Sequence, residues 1–83
     1  MTLTAEISLY PLNTDYIPII QAFIDTLNER DGLTVVTNAM STQLRGDHDV
    51  VMAAVSDGLR RSAEEFGSQV LVCKFIPTAL DIV

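Results

Sequence analysis

The chain has one cysteine and only five basic residues among its 83 residues, and each shortage excludes a class of protein. Cys73 cannot form a disulfide within the chain, so nothing indicates an oxidising compartment. Eleven acidic residues outnumber the basic ones and give a formal net charge of -6. Because such a charge repels phosphate backbones and anionic lipids, we expect neither nucleic acid nor a membrane as a partner.

Long apolar runs and catalytic motifs are also missing. No segment approaches the roughly 18 apolar residues of a membrane span, and the first residues lack the pattern of a signal peptide, so a cytoplasmic protein is expected. There is no glycine-rich phosphate loop, no Ser-His-Asp spacing and no metal-spaced set of cysteines and histidines. We therefore expect no enzyme activity, no metal site and no cofactor.

Two residues that often carry chemistry have simpler explanations here. His48 lies between Asp47 and Asp49 with no second histidine in the chain, so a solvated, helix-capping turn is favoured over a metal ligand or general base. Cys73 is followed by Lys74, but consecutive side chains of a strand point to opposite faces. A small core residue is therefore favoured over a thiol activated by the lysine.

The apolar fraction is high for so short a chain. Hydrophobic residues make up 48% of the sequence and charged residues 19%. Residues 1–83 have room for one domain, and a domain of this size buries only about 60 to 65% of the surface that its unfolded chain exposes. We therefore expect part of the apolar surface to be covered by another copy of the chain, in a homodimer or a homotetramer.

Hydrophobic periodicity divides the chain into six segments. Strands with a period of two alternate with two stretches of helical period, and glycine or proline follows most of them. The segments are a strand at 3–9, a helix that begins at Thr14 or Asp15 and ends at Gly32, strands at 33–38 and 40–45, a helix capped by Asp47 or Asp49 that ends at Gly67, and a strand at 69–76. This order predicts an α+β, ferredoxin-like βαββαβ sandwich, with a four-stranded antiparallel sheet and two helices on one face.

The sheet face opposite the helices carries an unusual mixture of side chains. We expect it to carry Thr4, Glu6, Ser8, Tyr10, Ser41, Gln43, Arg45 and Lys74, with Val70, Val72 and Ile76 beside them. A polar set at or near this face could bind a ligand, and it comprises Ser8, Tyr10, Asn38, Ser41, Thr42, Gln43 and Arg45. Amides offer both a donor and an acceptor, as the edge of an aminopyrimidine requires, and a tyrosine ring offers an aromatic surface. The same groups could equally form hydrogen bonds across a subunit interface, and the residues alone leave both interpretations open.

Three segments resemble a known family. Residues 7–12, 15–17 and 40–46, with the sequences ISLYPL, DYI and MSTQLRG, resemble the signature segments of the YkoF-like thiamine and hydroxymethylpyrimidine-binding proteins. The resemblance extends from the first strand to Ile76. It implies a ferredoxin-like domain that binds thiamine or its hydroxymethylpyrimidine moiety without chemistry, in thiamine uptake or salvage, and single-domain members that assemble as dimers or tetramers.

The resemblance also implies a set of ligand-binding residues, which are Tyr10, Asp15, Asn38, Ser41, Thr42 and Arg45. We expect Asn38, Ser41 and Thr42 to form hydrogen bonds with the pyrimidine edge, and Tyr10 to provide apolar contact. Asp15 either favours the thiazolium charge or only caps a helix. The alternative function is a structural or regulatory homo-oligomeric module without a small-molecule ligand.

Overall fold

Six elements follow one another in the order that the sequence predicts. The computed structural model describes residues 1–83 and places strands and helices at β1 (Thr2–Pro11), α1 (Tyr16–Asn28), β2 (Leu33–Thr37), β3 (Thr42–Asp47), α2 (His48–Phe66) and β4 (Gln69–Ile76). The strands form one sheet in the order β2-β3-β1-β4, and every neighbouring pair is antiparallel. The predicted ferredoxin-like βαββαβ sandwich is confirmed. No helix has both the length and the apolar character needed to cross a membrane.

The core lies between the sheet and the two helices. Alternate residues of β1 face the helices, and all four are buried: Leu3, Ala5, Ile7 and Leu9. They pack with Leu44 of β3, with Phe23 and Leu27 of α1, and with Val51 of α2. Leu44 and Val51 are each 0% exposed, so the strand period of two places one continuous apolar layer under the helices.

The apolar stripe of α1 coincides only in part with the predicted one, since apolar residues three or four apart predict Ile20, Phe23, Ile24 and Leu27 to be buried. Ile19, Phe23 and Leu27 are buried, whereas Ile20 and Ile24, which the sequence predicts to be buried, are only half-buried. The helix ends at Asn28 and not at Gly32. Gly32 has a φ of 79° and forms part of the turn into β2, which is a conformation that suits glycine.

The sequence predicts that β3 ends before Gly46. In the structure Gly46 lies inside the strand. A Cβ at Gly46 would lie 2.7 Å from the carbonyl oxygen of Gly32, so glycine is required for the close approach of that turn. The strand begins at Thr42, two residues later than predicted. Met40 consequently belongs to the loop between β2 and β3, where it is 88% exposed.

The face opposite the helices, called the open face below, carries Glu6, Ser8 and Tyr10 of β1 with Val72 and Lys74 of β4 opposite them. One end of this face is covered by residues 77–83, for which the sequence pattern predicts no role.

Thr4 holds the C-terminal segment to the open face. Its hydroxyl donates to the carbonyl oxygen of Thr78 at 2.7 Å and accepts from the backbone N–H of Leu80 at 3.1 Å. Arg45 donates to the carbonyl oxygen of Leu80 at 2.7 Å. Thr4 is therefore only 5% exposed, although it faces away from the helices.

Candidate ligand-binding cleft

A cleft of about 250 Å³ opens where β1 and β3 separate. The two strands pair only as far as Ile7 and Thr42, while β1 continues to Pro11 along β4. Residues 38–41 form the loop beside the unpaired end of β1, and the Ser8 hydroxyl donates to the Met40 carbonyl oxygen at 3.4 Å. The cleft is thus bounded by β1, this loop and α1, and is open to solvent on its remaining side.

The lining of the cleft is mainly apolar and carries no ionised side chain. β1 contributes Ile7 and Leu9, and α1 contributes Ile20, Phe23 and Ile24. The incomplete burial of Ile20 and Ile24 is explained by their position at this cleft. None of the 13 lining residues is Asp, Glu, Lys, Arg or His. A neutral group can therefore enter without facing an unpaired charge.

Asn38 fixes the loop with one end of its amide and leaves the other end free. Its Oδ1 accepts from the backbone N–H groups of Met40 and Ser41, each at 2.9 Å. Its own backbone N–H donates to the Ser41 carbonyl oxygen at 3.0 Å. Because two N–H donors meet Oδ1, the orientation of the amide is determined. Both N–H groups of Nδ2 remain able to donate to a ligand.

Two threonine hydroxyls meet at the end of the β2–β3 hairpin. Thr37 and Thr42 are paired in the sheet, and their hydroxyl oxygens are 3.3 Å apart. Thr42 is 6% exposed. One hydroxyl donates to the other, so the pair retains one proton that can be donated and lone pairs that can accept.

Ser41 connects the cleft with a charged pair on the open face. Its hydroxyl donates to Glu6 Oε2 at 3.0 Å, and Glu6 Oε1 lies 2.7 Å from Lys74 Nζ. The hydrogen bonds from Lys74 and Ser41 hold the pKa of Glu6 below its ordinary value of 4.5. The bond to Glu6 raises the pKa of Lys74 above 10.5. Glu6 is therefore a carboxylate at neutral pH.

The structure brings four of the six expected ligand-binding residues to the cleft, namely Tyr10, Asn38, Ser41 and Thr42. It does not bring Asp15 or Arg45 there. Asp15 is exposed immediately before α1, and its side chain makes no capping hydrogen bond. Arg45 is on the open face, bound to the C-terminal segment.

Some lining residues were not identified from the sequence. Thr37 and the two isoleucines of α1 face the cleft, but the sequence pattern assigned them to a strand and to the core. Thr37 could have been found from the hairpin register, because a loop at 38–41 places it opposite Thr42.

The other chemically versatile residues form no second site. Cys73 is half-buried, and burial raises the pKa of its thiol. Lys74 is on the other face, paired with Glu6. His48 Nδ1 lies 2.9 Å from the Asp49 carboxylate in an exposed turn. No three histidine, cysteine or acidic side chains lie close enough together to hold a metal ion.

The fold and the uncharged cleft can be compared with known proteins. The family model described as the YKOF-related family matches residues 2–76. The chain therefore belongs to the YKOF-related family. No curated protein matches the chain.

Several solved structures share the fold over nearly the whole chain. The hypothetical protein MJ1052 of Methanocaldococcus jannascii is 26% identical with a TM-score of 0.82, over 94% of this chain and 81% of that one. SP2199 of Streptococcus pneumoniae is 23% identical with a TM-score of 0.84, over 99% and 90% of the two chains.

A third solved structure also shares the fold. TM0486 of Thermotoga maritima, provisionally described as a thiamine biosynthesis/salvage protein, is 18% identical with a TM-score of 0.80, over 90% of this chain and 82% of that one. At this level of identity the likeness shows the fold alone.

Proposed function

We propose that this chain binds thiamine or its hydroxymethylpyrimidine moiety in the cleft, without catalysing a reaction, as a component of thiamine uptake or salvage. The observation that carries the proposal is the hydrogen-bonding pattern of the 38–41 loop, where a free amide donor at Asn38 lies beside an acceptor at Ser41. Membership of the YKOF-related family and the description of TM0486 support it.

The donor and acceptor match the edge of an aminopyrimidine. This ring places an exocyclic amino group, which donates, next to a ring nitrogen, which accepts. Asn38 Nδ2 can donate to the ring nitrogen, and Ser41 Oγ can accept from the amino group. The two residues are held in one loop by the Asn38 side chain, so their spacing is set before a ligand arrives.

The size and charge of the cleft favour a single neutral ring. Its volume of about 250 Å³ is below the roughly 300–1,000 Å³ of sites for drug-sized ligands. The lining offers no carboxylate to a cation, so we expect the pyrimidine to enter and the thiazolium to remain at the mouth. The net charge of -6 attracts the thiazolium only through its long-range field.

The proposal assigns no reaction to the cleft. Apart from the phenol of Tyr10, its lining includes no side chain of the kinds that act as a general acid or base, since carboxyl, imidazole, amine and thiol groups are all missing. Hydroxyl, amide and apolar groups suit binding and orientation of a ligand.

Calorimetric titration of the ligand-free protein tests the proposal. We expect both hydroxymethylpyrimidine and thiamine to bind, and Ser41→Ala to weaken both by about 10-fold, since one hydrogen bond to the ligand is lost. Ser56→Ala is the matched control, because Ser56 is exposed on α2 and does not line the cleft. Absence of heat from either compound at millimolar concentration contradicts the proposal.

A second function is favoured by the open face. Val70, Val72 and Ile76 of β4 are between 46% and 50% exposed. Val70 and Val72 are paired with Tyr10 and Ser8 in the sheet, and Ile76 is paired with Thr4. We propose that a second copy of the chain covers this apolar area, as a homodimer or as part of a homotetramer. The chain would then be an assembly module, with or without a ligand.

Sedimentation separates the two functions. Val72→Glu places a charge on the open face and should dissociate the oligomer, whereas Ser41→Ala should leave the oligomer intact. If Ser41→Ala dissociates the subunits and neither compound binds the wild-type chain, assembly is the better description. A wild-type chain that sediments as a monomer at all concentrations contradicts the assembly proposal.

A further inference from the structure

Glu6 lies on the open face but determines what Ser41 can offer to the cleft. The Ser41 hydroxyl donates to Glu6 Oε2 at 3.0 Å, and the other carboxylate oxygen is 2.7 Å from Lys74 Nζ. A carboxylate has no proton, so in this contact serine must be the donor. Serine has only one hydroxyl proton, and Glu6 occupies it.

Ser41 is therefore left with lone pairs alone. Toward any further partner, its oxygen acts as an acceptor and cannot donate. Without Glu6 the hydroxyl would rotate to suit either a donor or an acceptor. A ligand group that donates is accommodated, while one that accepts meets an oxygen with no proton to give it.

We propose that Glu6 is a specificity-determining residue, which acts through Ser41 to select a ring bearing an amino group over one bearing an oxo group at the same position. The inference rests on the proposed function of the cleft and deepens it. Glu6 is a positioning residue, because it does not line the cleft and contacts the ligand only through Ser41.

Lys74 neutralises much of the negative charge that Glu6 places behind the cleft. A carboxylate behind an apolar cleft would otherwise disfavour electron-rich rings, but the ammonium group pairs with it directly. The comparable contact of Ser8, which donates to the Met40 carbonyl at 3.4 Å, is longer and involves a neutral acceptor. Of these two serines, Ser41 is thus the one whose hydroxyl is held more firmly as a donor to its protein partner.

The test compares thiamine with oxythiamine, in which an oxo group replaces the amine and the thiazolium is unchanged. Titration of the wild-type chain should show thiamine binding at least 10-fold more tightly. In Glu6→Gln the new amide can donate to the Ser41 oxygen, which frees the Ser41 hydroxyl proton. The ratio of the affinities for thiamine and oxythiamine should therefore fall at least fivefold. Glu29→Gln is the matched control and should keep the wild-type preference for thiamine, because Glu29 is an exposed residue near Arg61 and does not line the cleft.

A second variant shows whether Glu6 acts through Ser41. Ser41→Ala removes the acceptor and should lower the preference without touching the Glu6–Lys74 pair. Adding Glu6→Gln to Ser41→Ala should then change the ratio of thiamine affinity to oxythiamine affinity by less than twofold. Circular dichroism and thermal unfolding of each variant establish that it is folded. If Glu6→Gln does not fold, Glu6→Ala makes the same comparison, because it also leaves the Ser41 proton free.

The outcomes distinguish this inference from the proposed function. If wild type binds neither compound, the proposed function fails and this inference fails with it. If wild type binds thiamine but the ratio is the same in Glu6→Gln, or if Glu6→Gln still changes the ratio in the Ser41→Ala background, only the role of Glu6 is overturned. Binding of thiamine and oxythiamine with equal affinity by wild type also overturns it.

Discussion

The two faces of the sheet are built from the same strands and have opposite chemistry. On β1, Ala5 and Ile7 face the helices and are each 2% exposed, while Glu6 between them carries a charge on the open face. The helix side is a packed apolar layer. The open side is a network of hydroxyl, carboxylate and ammonium groups with exposed valines beside it.

In so small a fold, a binding site can arise where the separation of the two faces ends. Alternation keeps the two faces apart wherever the strands are paired. Beyond Ile7 and Thr42 the pairing of β1 and β3 stops, and there Thr42 from the helix side and Ser41 from the open side line one cleft. The Ser41 hydroxyl, which is hydrogen-bonded to Glu6 on the open face, thus lines a cleft whose walls are mainly apolar.

The largest effect should come from the helix side. Leu44→Ala removes a side chain that is 0% exposed at the centre of the core, and should lower the free energy of unfolding by about 2–5 kcal/mol. Urea titration measures it. Ile17→Ala, at a position 70% exposed on α1, should change it by no more than about 0.5 kcal/mol. Equal losses in the two variants would show that the helix-side layer is not the main source of stability.

The next largest effect should come from the cleft. Asn38→Asp retains the oxygen that accepts from Met40 and Ser41 but loses the Nδ2 donor, so the affinity for hydroxymethylpyrimidine should fall about 10- to 100-fold. The neutral pyrimidine is used so that the added charge does not attract the thiazolium. Calorimetry gives the affinity.

Asn28→Asp is the control for the Asn38 prediction. It makes the same change at the exposed end of α1, outside the cleft lining, and should leave the affinity unchanged. An undiminished affinity in Asn38→Asp would mean that the amide does not contact the ligand.

The sequence determined the order of elements because their patterns are local. β4 has the predicted bounds, 69–76, since alternation and a following proline mark it clearly. The sequence pattern wrongly predicts that the strand ends at Gly46. Glycine is needed there because the carbonyl oxygen of Gly32, which is distant in sequence, approaches it in the fold. Local signals contain no information on such approaches.

The site was predictable only in part for the same reason. Asn38 and Ser41 could be identified because loop amides and hydroxyls beside strands are visible in the sequence. The bond between Ser41 and Glu6 spans 35 positions, and the bond between Thr4 and Thr78 spans 74. Neither has a local pattern, so the role of Glu6 and the attachment of the C-terminal segment required the structure.

A smaller effect is expected where the C-terminal segment meets the open face. Thr4→Val removes the hydroxyl that holds Thr78 and Leu80, and should cost about 1 kcal/mol and speed proteolysis of residues 77–83. Thr34→Val is the matched control on β2, because the side-chain hydrogen bonds to this segment come from Thr4 and Arg45 and not from Thr34. The cleft is at the other end of β1, so ligand affinity should not change. Unaltered proteolysis in Thr4→Val would show that the hydroxyl does not hold the segment.

The smallest effect should be the pH dependence of the Glu6–Lys74 pair, since the lysine side chain is 73% exposed. Because the pKa of Glu6 is lowered, its contribution to stability is present above the unfolded value of 4.5 and is lost as pH falls through the folded pKa. Because the pKa of Lys74 is raised, its contribution is present below 10.5 and is lost as pH rises through the folded pKa. The pair therefore stabilises the fold between these limits.

Lys74→Met isolates this contribution. The difference in urea midpoint between wild type and Lys74→Met should be greatest between about pH 5 and 10 and should shrink at more acid or more alkaline pH, as one partner loses its charge. Arg61→Met removes a cation that is 4.0 Å from the nearest carboxylate, and its difference from wild type should vary less with pH. If the two variants instead show the same pH profile, the pair on the open face is no stronger than an ordinary surface contact, and Glu6 is held behind Ser41 by the serine hydrogen bond alone.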